Sequence, residues 1–115
     1  MAIRENLQRV RNRMRDAALS VGRDPESVTL IAVSKTVSSD SIREAYEAGQ
    51  RDFGESRLQE ALPKIEVLPA DIRWHFIGKL QSNKAKRAGQ AFHVIQTLES
   101  AHQIRELAKI GRAHV

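Results

Sequence analysis

A chain of 115 residues is long enough for one small domain with a real core. Hydrophobic residues make up 41% and charged residues 29%, the balance of a soluble globular protein. There is no cysteine, no apolar signal core at the N-terminus and no run of membrane-spanning length, so disulfides and thiolate metal sites are excluded and a cytoplasmic protein without a membrane partner is expected.

The net charge of +5 comes from 19 basic and 14 acidic residues, and much of the excess lies in Arg4, Arg9, Arg11, Arg13 and Arg15. An arginine-rich helix can bind nucleic acid or an acidic surface. No aromatic residue is interleaved with these arginines to stack on bases, and the solvated face of an amphipathic helix is the favoured reading.

Residues 3–21 place Ile3, Leu7, Val10, Met14, Ala17 or Ala18, and Val21 on one helical stripe, with Gly22 as the stop and Asp24-Pro25 as a turn. Residues 28–36 follow as an apolar, β-branched run, which reads as a strand buried on both faces and ending in Lys35. Ser38, Ser39 and Asp40 offer N-caps for a second helix lined by Ile42, Ala45, Tyr46 and Ala48 and ended by Gly49. Residues 51–56 form a second strand. Residues 57–66 form a third helix with Leu58, Ala61, Leu62 and Ile65 on one face, and Pro63 inside it predicts a shortened or kinked helix.

Residues 73–78 make a third strand, with Trp74 and Phe76 on its core face. Ser82 caps a short basic helix containing Asn83, Lys84, Lys86 and Arg87 that stops near Gly89. Residues 91–98 are a fourth strand, and Ser100 caps a last helix with Ile104, Leu107 and Ala108 inward. One helix followed by four strand-helix units predicts an α/β fold with a parallel sheet. A closed (β/α)8 barrel of the TIM type needs roughly 250 residues. Four units therefore make either a small open α/β domain or half of such a barrel.

Lys35 stands at the C-terminal end of the first strand, where ligands bind in α/β folds. It shares a face with Thr29, Ile31 and Val33, so apolar surroundings are expected to favour its free amine, a nucleophile towards carbonyl compounds. The competing reading is a solvated lysine just past a strand end. His75, His93, His102 and His114 show no metal-binding spacing, and Gly49, Gly54 and Gly78 form no phosphate loop. Glu55 and Glu60, five apart across a strand-helix junction, read as surface residues rather than an acid-base pair.

Three segments carry a resemblance. Ile31-Ala32-Val33-Ser34-Lys35-Thr36, Phe53-Gly54-Glu55-Ser56-Arg57-Leu58-Gln59-Glu60-Ala61 and Trp74-His75-Phe76-Ile77-Gly78-Lys79-Leu80-Gln81-Ser82-Asn83-Lys84 occur in the order and spacing of the pyridoxal phosphate homeostasis proteins, the YggS/PROSC family, which have an alanine racemase N-terminal-like barrel. The resemblance runs from about residue 3 to residue 109. It implies half of a TIM-type barrel, pyridoxal 5'-phosphate as cofactor, and Lys35 as the residue holding it as a covalent aldimine. It also implies a role in intracellular cofactor homeostasis without catalytic turnover. Ser56 and His75 fall in the matching segments and are candidate cofactor contacts.

Two positions depart from the family pattern. Ser56 stands where the family has Asn, which changes a hydrogen-bonding group near the cofactor. Lys79 stands where it has Pro, which adds a charge at a strand exit. Family members are about twice as long, and their phosphate-binding residues lie mostly in a second half that this chain does not carry; a half barrel is therefore expected to bind the cofactor weakly and to self-associate through open sheet edges. Residues 110–115 leave the family pattern and translate the start of a common sequencing adapter. They are expected to be a non-native tail, with residues 1–109 as the domain. Two other functions compete with cofactor holding. One is a basic nucleic-acid or protein interaction module acting through the arginine-rich helix. The other is a racemase-like enzyme, for which the sequence supplies no second domain with a catalytic base.

Overall fold

The structure is a computed structural model that describes residues 2–97 and 101–108. Helix α1 (Ile3–Ser20) is followed by four strand-helix units: β1 (Ala32–Val33) with α2 (Ser39–Glu47), β2 (Asp52–Glu55) with α3 (Leu58–Val67), β3 (Arg73–Phe76) with α4 (Ala85–Ala91), and β4 (Val94–Ile95) with α5 (Ala101–Ala108). The strands are parallel and lie in the order β1-β2-β3-β4. Each strand thus pairs with its predecessor, which winds the helices onto one side of the sheet as in half of a (β/α)8 barrel. Ser100, the end of the expected fourth strand and the tail of residues 110–115 lie outside the described residues.

The core fills the space between sheet and helices. Phe53, Trp74 and Phe76 leave the sheet on the helix side and meet Ile42, Ala45, Ala61, Ile72, Ala88 and Phe92. Phe53 and Trp74 have ring centroids 5.9 Å apart, and Phe76 meets Phe92 edge-on at 5.1 Å. Strand alternation sends the intervening residues to the opposite, inner face. There Gly54 has no side chain, and a Cβ on it would lie 3.0 Å from Ile77 Cδ1 and 3.2 Å from Ile31 Cγ2. The missing side chain lets these two isoleucines close over β2.

Gly22 at φ 72° stops α1 as expected, but the expected apolar stripe is not all buried: Val21, just past the helix, and Val10 are exposed, because nothing among the described residues packs against that side. Ser38 caps α2, its hydroxyl accepting from the Ser41 amide at 3.2 Å, and Gly49 at φ 103° follows the helix end. Several expectations need correction. Strand β1 is shorter than residues 28–36, because the Gln50 side-chain amide donates to Leu30 O (2.7 Å) and Asp52 O (2.8 Å), bridging the chains ahead of the regular ladder. Nor is β1 buried on both faces: Ser34 is covered on the helix side, whereas Val33 on the inner face is 53% exposed.

Pro63 does not shorten α3, which runs on to Val67; Pro63 and Gln59, whose carbonyl loses its amide partner, are both exposed. Ser82 is not a cap but part of a 3-10 turn, Ser82–Lys84, and Gly89 is buried inside α4 rather than at its end. The small face of Ala85, Ala88 and Gly89 is the buried one. In α5 the inward residues are Gln103, which donates to the Leu80 carbonyl, and Leu107; Ile104 and Ala108 are exposed. One buried polar anchor rotates the helix away from its apolar pattern.

Among the described residues β1 pairs on one side only, and its free edge carries the exposed Val33 beside an apolar groove. Such an edge is a template for pairing with another chain. The 115-residue chain is expected to sediment as an associated species, and Val33→Lys to shift it towards monomer; a wild-type chain that stays monomeric at high concentration would contradict this.

Candidate functional site

The strand register brings the site together at the C-terminal edge of the sheet. Val33, Gly54, His75 and Val94 form one inner-face row; just past it Ser56, Ile77 and Gln96 leave β2, β3 and β4, and Lys35 lies in the turn that the Val37 amide closes on Ser34 O at 3.0 Å. Lys35 and Ser56 thus follow the ends of the neighbouring strands β1 and β2, and His75 lies on β3 in the row before them. Lys35 is exposed, and among the described residues its ammonium has no hydrogen-bond or ion-pair partner. The low-dielectric surroundings expected for it are not found among the described residues, because the inner face is open there. Ser56 is half-buried, and its hydroxyl likewise has no partner among the described residues.

His75 is buried and engaged at both ring nitrogens. Gln96 Nε2 lies 3.1 Å from its Nδ1 and Asp52 Oδ1 lies 2.9 Å from its Nε2. An amide nitrogen only donates, so Nδ1 accepts and Nε2–H donates to Asp52. His75 thus fixes Asp52 and Gln96 on the inner face and has no nitrogen free for a proton transfer of its own.

Beneath Lys35 lies a polar cluster that includes Glu55 and Glu60, which their charge and spacing alone would place on the surface. Glu55 is fully buried and Lys64 is 8% exposed. Lys64 Nζ is 2.9 Å from Ser34 O, 3.1 Å from Glu55 Oε2 and 3.2 Å from Glu60 Oε1. The Ser34 hydroxyl donates to Glu55 Oε2. Glu60 Oε1 accepts the Thr36 amide at 2.5 Å. That amide, and then Lys64, hold the half-buried Glu60 carboxyl below the usual carboxylate range. Two signals for this cluster were present in the sequence. Glu55 alternates onto the same strand face as Phe53, and Lys64 continues the α3 spacing of Leu58, Ala61 and Leu68, all of them buried.

Two hollows flank this edge. A groove of about 440 Å³ runs between α1, α2 and β1, lined by Leu7, Val10, Ala32, Val33, Ile42 and Phe53. A cleft of about 380 Å³ opens over the ends of β2 and β3, with Ser56, Glu60, Phe76, Lys79 and Lys84 in its wall. Lys35 lines neither of them. Gly78 packs against Ser56 so closely that a Cβ would lie 2.3 Å from Ser56 O.

The arginines of α1 are partly consumed by the fold. Arg11 donates to Ala48 O (3.2 Å) and Gln50 Oε1 (2.7 Å), and Arg4 to Glu47 O (3.3 Å), so both hold the C-terminal end of α2. No group of three or more metal-ligating side chains occurs among the described residues, and no helix there is long and apolar enough to cross a membrane.

No family model matches the chain. Among characterised proteins it is 45% identical over 113 residues to the pyridoxal phosphate homeostasis protein of Pseudomonas aeruginosa, covering 95% of this chain and 49% of that protein. To the protein of the same name from Escherichia coli K12 it is 43% identical over 111 residues, covering 90% and 47%. The structure of PipY from Synechococcus elongatus with pyridoxal phosphate bound superimposes with a TM-score of 0.69 at 48% identity, covering 84% of this chain and 46% of PipY. A protein of unknown function from Bifidobacterium adolescentis superimposes with a TM-score of 0.84 at 30% identity, covering 93% and 48%. The chain spans about half the length of the curated relatives it matches.

Proposed function

The chain belongs to the pyridoxal phosphate homeostasis protein family, and from that premise we propose that it binds pyridoxal 5'-phosphate through the Lys35 amine in the cytoplasm, as a non-catalytic part of cofactor homeostasis. The observation that carries this reading is the unpartnered Lys35 ammonium at the C-terminal edge of a parallel sheet. When bound, the cofactor supplies an aldehyde that condenses reversibly with a primary amine. Lys35 has the right group in the right place. Ser56, with its open hydroxyl beside Lys35, is the second candidate contact. His75 serves as a fixed wall rather than a hydrogen-bond donor, since its nitrogens are already engaged.

Holding needs binding and release, not selective stabilisation of a transition state. The cluster below Lys35 fits that requirement: its charges pair with one another around Lys64 instead of pointing at a reacting atom. A nucleic-acid module is disfavoured by the same structure, because Arg4 and Arg11 are spent on α2. The test is incubation with pyridoxal phosphate, borohydride reduction and peptide mapping. The adduct is expected on Lys35 and should vanish in Lys35→Ala. An adduct spread chiefly over Lys79, Lys84 and Lys86 would mean indiscriminate surface chemistry.

A further inference from the structure

We propose that Glu60 and Lys64 are positioning residues for Lys35, clamping the backbone on either side of it so that its side chain leaves the strand end in one direction. The inference rests on Lys35 being the cofactor-binding residue. Lys35 itself is exposed and unpartnered, so nothing beyond its own backbone aims it. That backbone is held at both neighbours. Lys64 Nζ takes the Ser34 carbonyl at 2.9 Å, and Glu60 Oε1 takes the Thr36 amide at 2.5 Å. The two anchors are joined, since Glu60 Oε1 lies 3.2 Å from Lys64 Nζ. Glu55 fixes Lys64 from below at 3.1 Å.

The conformation being held is one the chain would not choose. Thr36 has φ 61°, the only positive value at a non-glycine among the described residues. A β-branched residue avoids that region, because its Cβ crowds the backbone. The Thr36 hydroxyl adds a bond to Lys35 O at 2.5 Å, which by itself ties two adjacent residues and cannot fix them to the fold. Glu60 does so. The Val37 amide closes the turn on Ser34 O at 3.0 Å, but among the described residues only Glu60 ties Thr36 itself to α3, so without Glu60 the Lys35–Thr36 peptide is free to rotate and turn the lysine away from the strand end that carries Ser56. A buried ammonium between two carboxylates is a costly way to fill a core. Its contacts beyond those carboxylates go to residue 34 directly and to residue 36 through Glu60, which is what a clamp around residue 35 requires.

The experiment uses the full 115-residue chain and three variants. Glu60→Gln keeps an oxygen for the Thr36 amide, Glu60→Asp keeps the charge but is too short to reach it, and Glu60→Ala removes both. Borohydride-trapped adduct at Lys35 is followed against time, and exchange of the Thr36 amide is measured separately without cofactor. Capture at Lys35 should slow about ten-fold in Glu60→Ala and Glu60→Asp, the size expected for losing one charge-assisted hydrogen bond, and stay near wild type in Glu60→Gln. Thr36 exchange should accelerate in the same two variants. If Glu60→Ala does not fold, Glu60→Asp carries the comparison. Equal capture in all three variants, from a wild type that does react at Lys35, would overturn the clamp. If wild type does not react at Lys35, the cofactor reading fails, and the clamp is then judged on Thr36 exchange alone: protection lost in Asp and kept in Gln supports it, and no change overturns it.

Discussion

Replacing Lys64 with methionine is expected to destabilise the fold by about 3–5 kcal/mol, the usual consequence of removing one partner from a buried ion pair. Against a total of about 5–15 kcal/mol for a domain, that loss approaches unfolding. Methionine matches the length of the lysine stem but donates nothing. Glu55, fully buried, would keep only the Ser34 hydroxyl, and the Ser34 carbonyl would lose the ammonium 2.9 Å away. Urea denaturation followed by circular dichroism measures the effect. Glu55→Gln in the same chain should recover part of the loss, because it removes the stranded charge. A loss no larger than the roughly 1 kcal/mol of an exposed pair would show that the cluster is not the buried unit described here.

The sequence made the fold legible where local patterns agreed with packing. Alternating strand and helix signals, the Ser38 cap and the Gly22 and Gly49 stops all follow from backbone chemistry that acts over a few residues. For Lys35 the sequence pattern places it near the end of the first strand, but the turn that carries it and its exposure depend on tertiary contacts to Glu60 and Lys64. The cluster around Glu55 is not legible locally, because a charged side chain ordinarily marks the surface. Alternation with Phe53 already placed Glu55 on the helix side, but no local rule says that Lys64, nine residues away, bends back to meet it. The inward face of α5 escaped for a related reason. Gln103 is set by a carbonyl at Leu80, a partner that periodicity cannot reveal. The role of Arg11 was hidden likewise, since its partners lie on α2 and the following loop.

Gly78→Ala should be the other strongly disruptive substitution, and Gly54→Ala is its control. A Cβ on Gly78 would sit 2.3 Å from Ser56 O and 2.7 Å from both Ser56 Cα and Cβ. These are backbone atoms and the first side-chain carbon, none of which can swing aside, so the exits of β2 and β3 must separate. Overpacking of that kind costs typically about 1–3 kcal/mol and sometimes more. At Gly54 the added methyl would instead meet Ile77 Cδ1 at 3.0 Å and Ile31 Cγ2 at 3.2 Å, which are ends of flexible side chains and can turn away. Gly78→Ala should therefore lose clearly more stability than Gly54→Ala in the same urea titration. It should also slow borohydride trapping at Lys35 under conditions where the variant is fully folded, because the atoms displaced belong to Ser56, at the end of the strand next to the one that Lys35 follows. Equal tolerance of the two alanines would mean that the strand exits are looser than this contact requires. Undiminished trapping in a folded Gly78→Ala chain would remove Ser56 from the site.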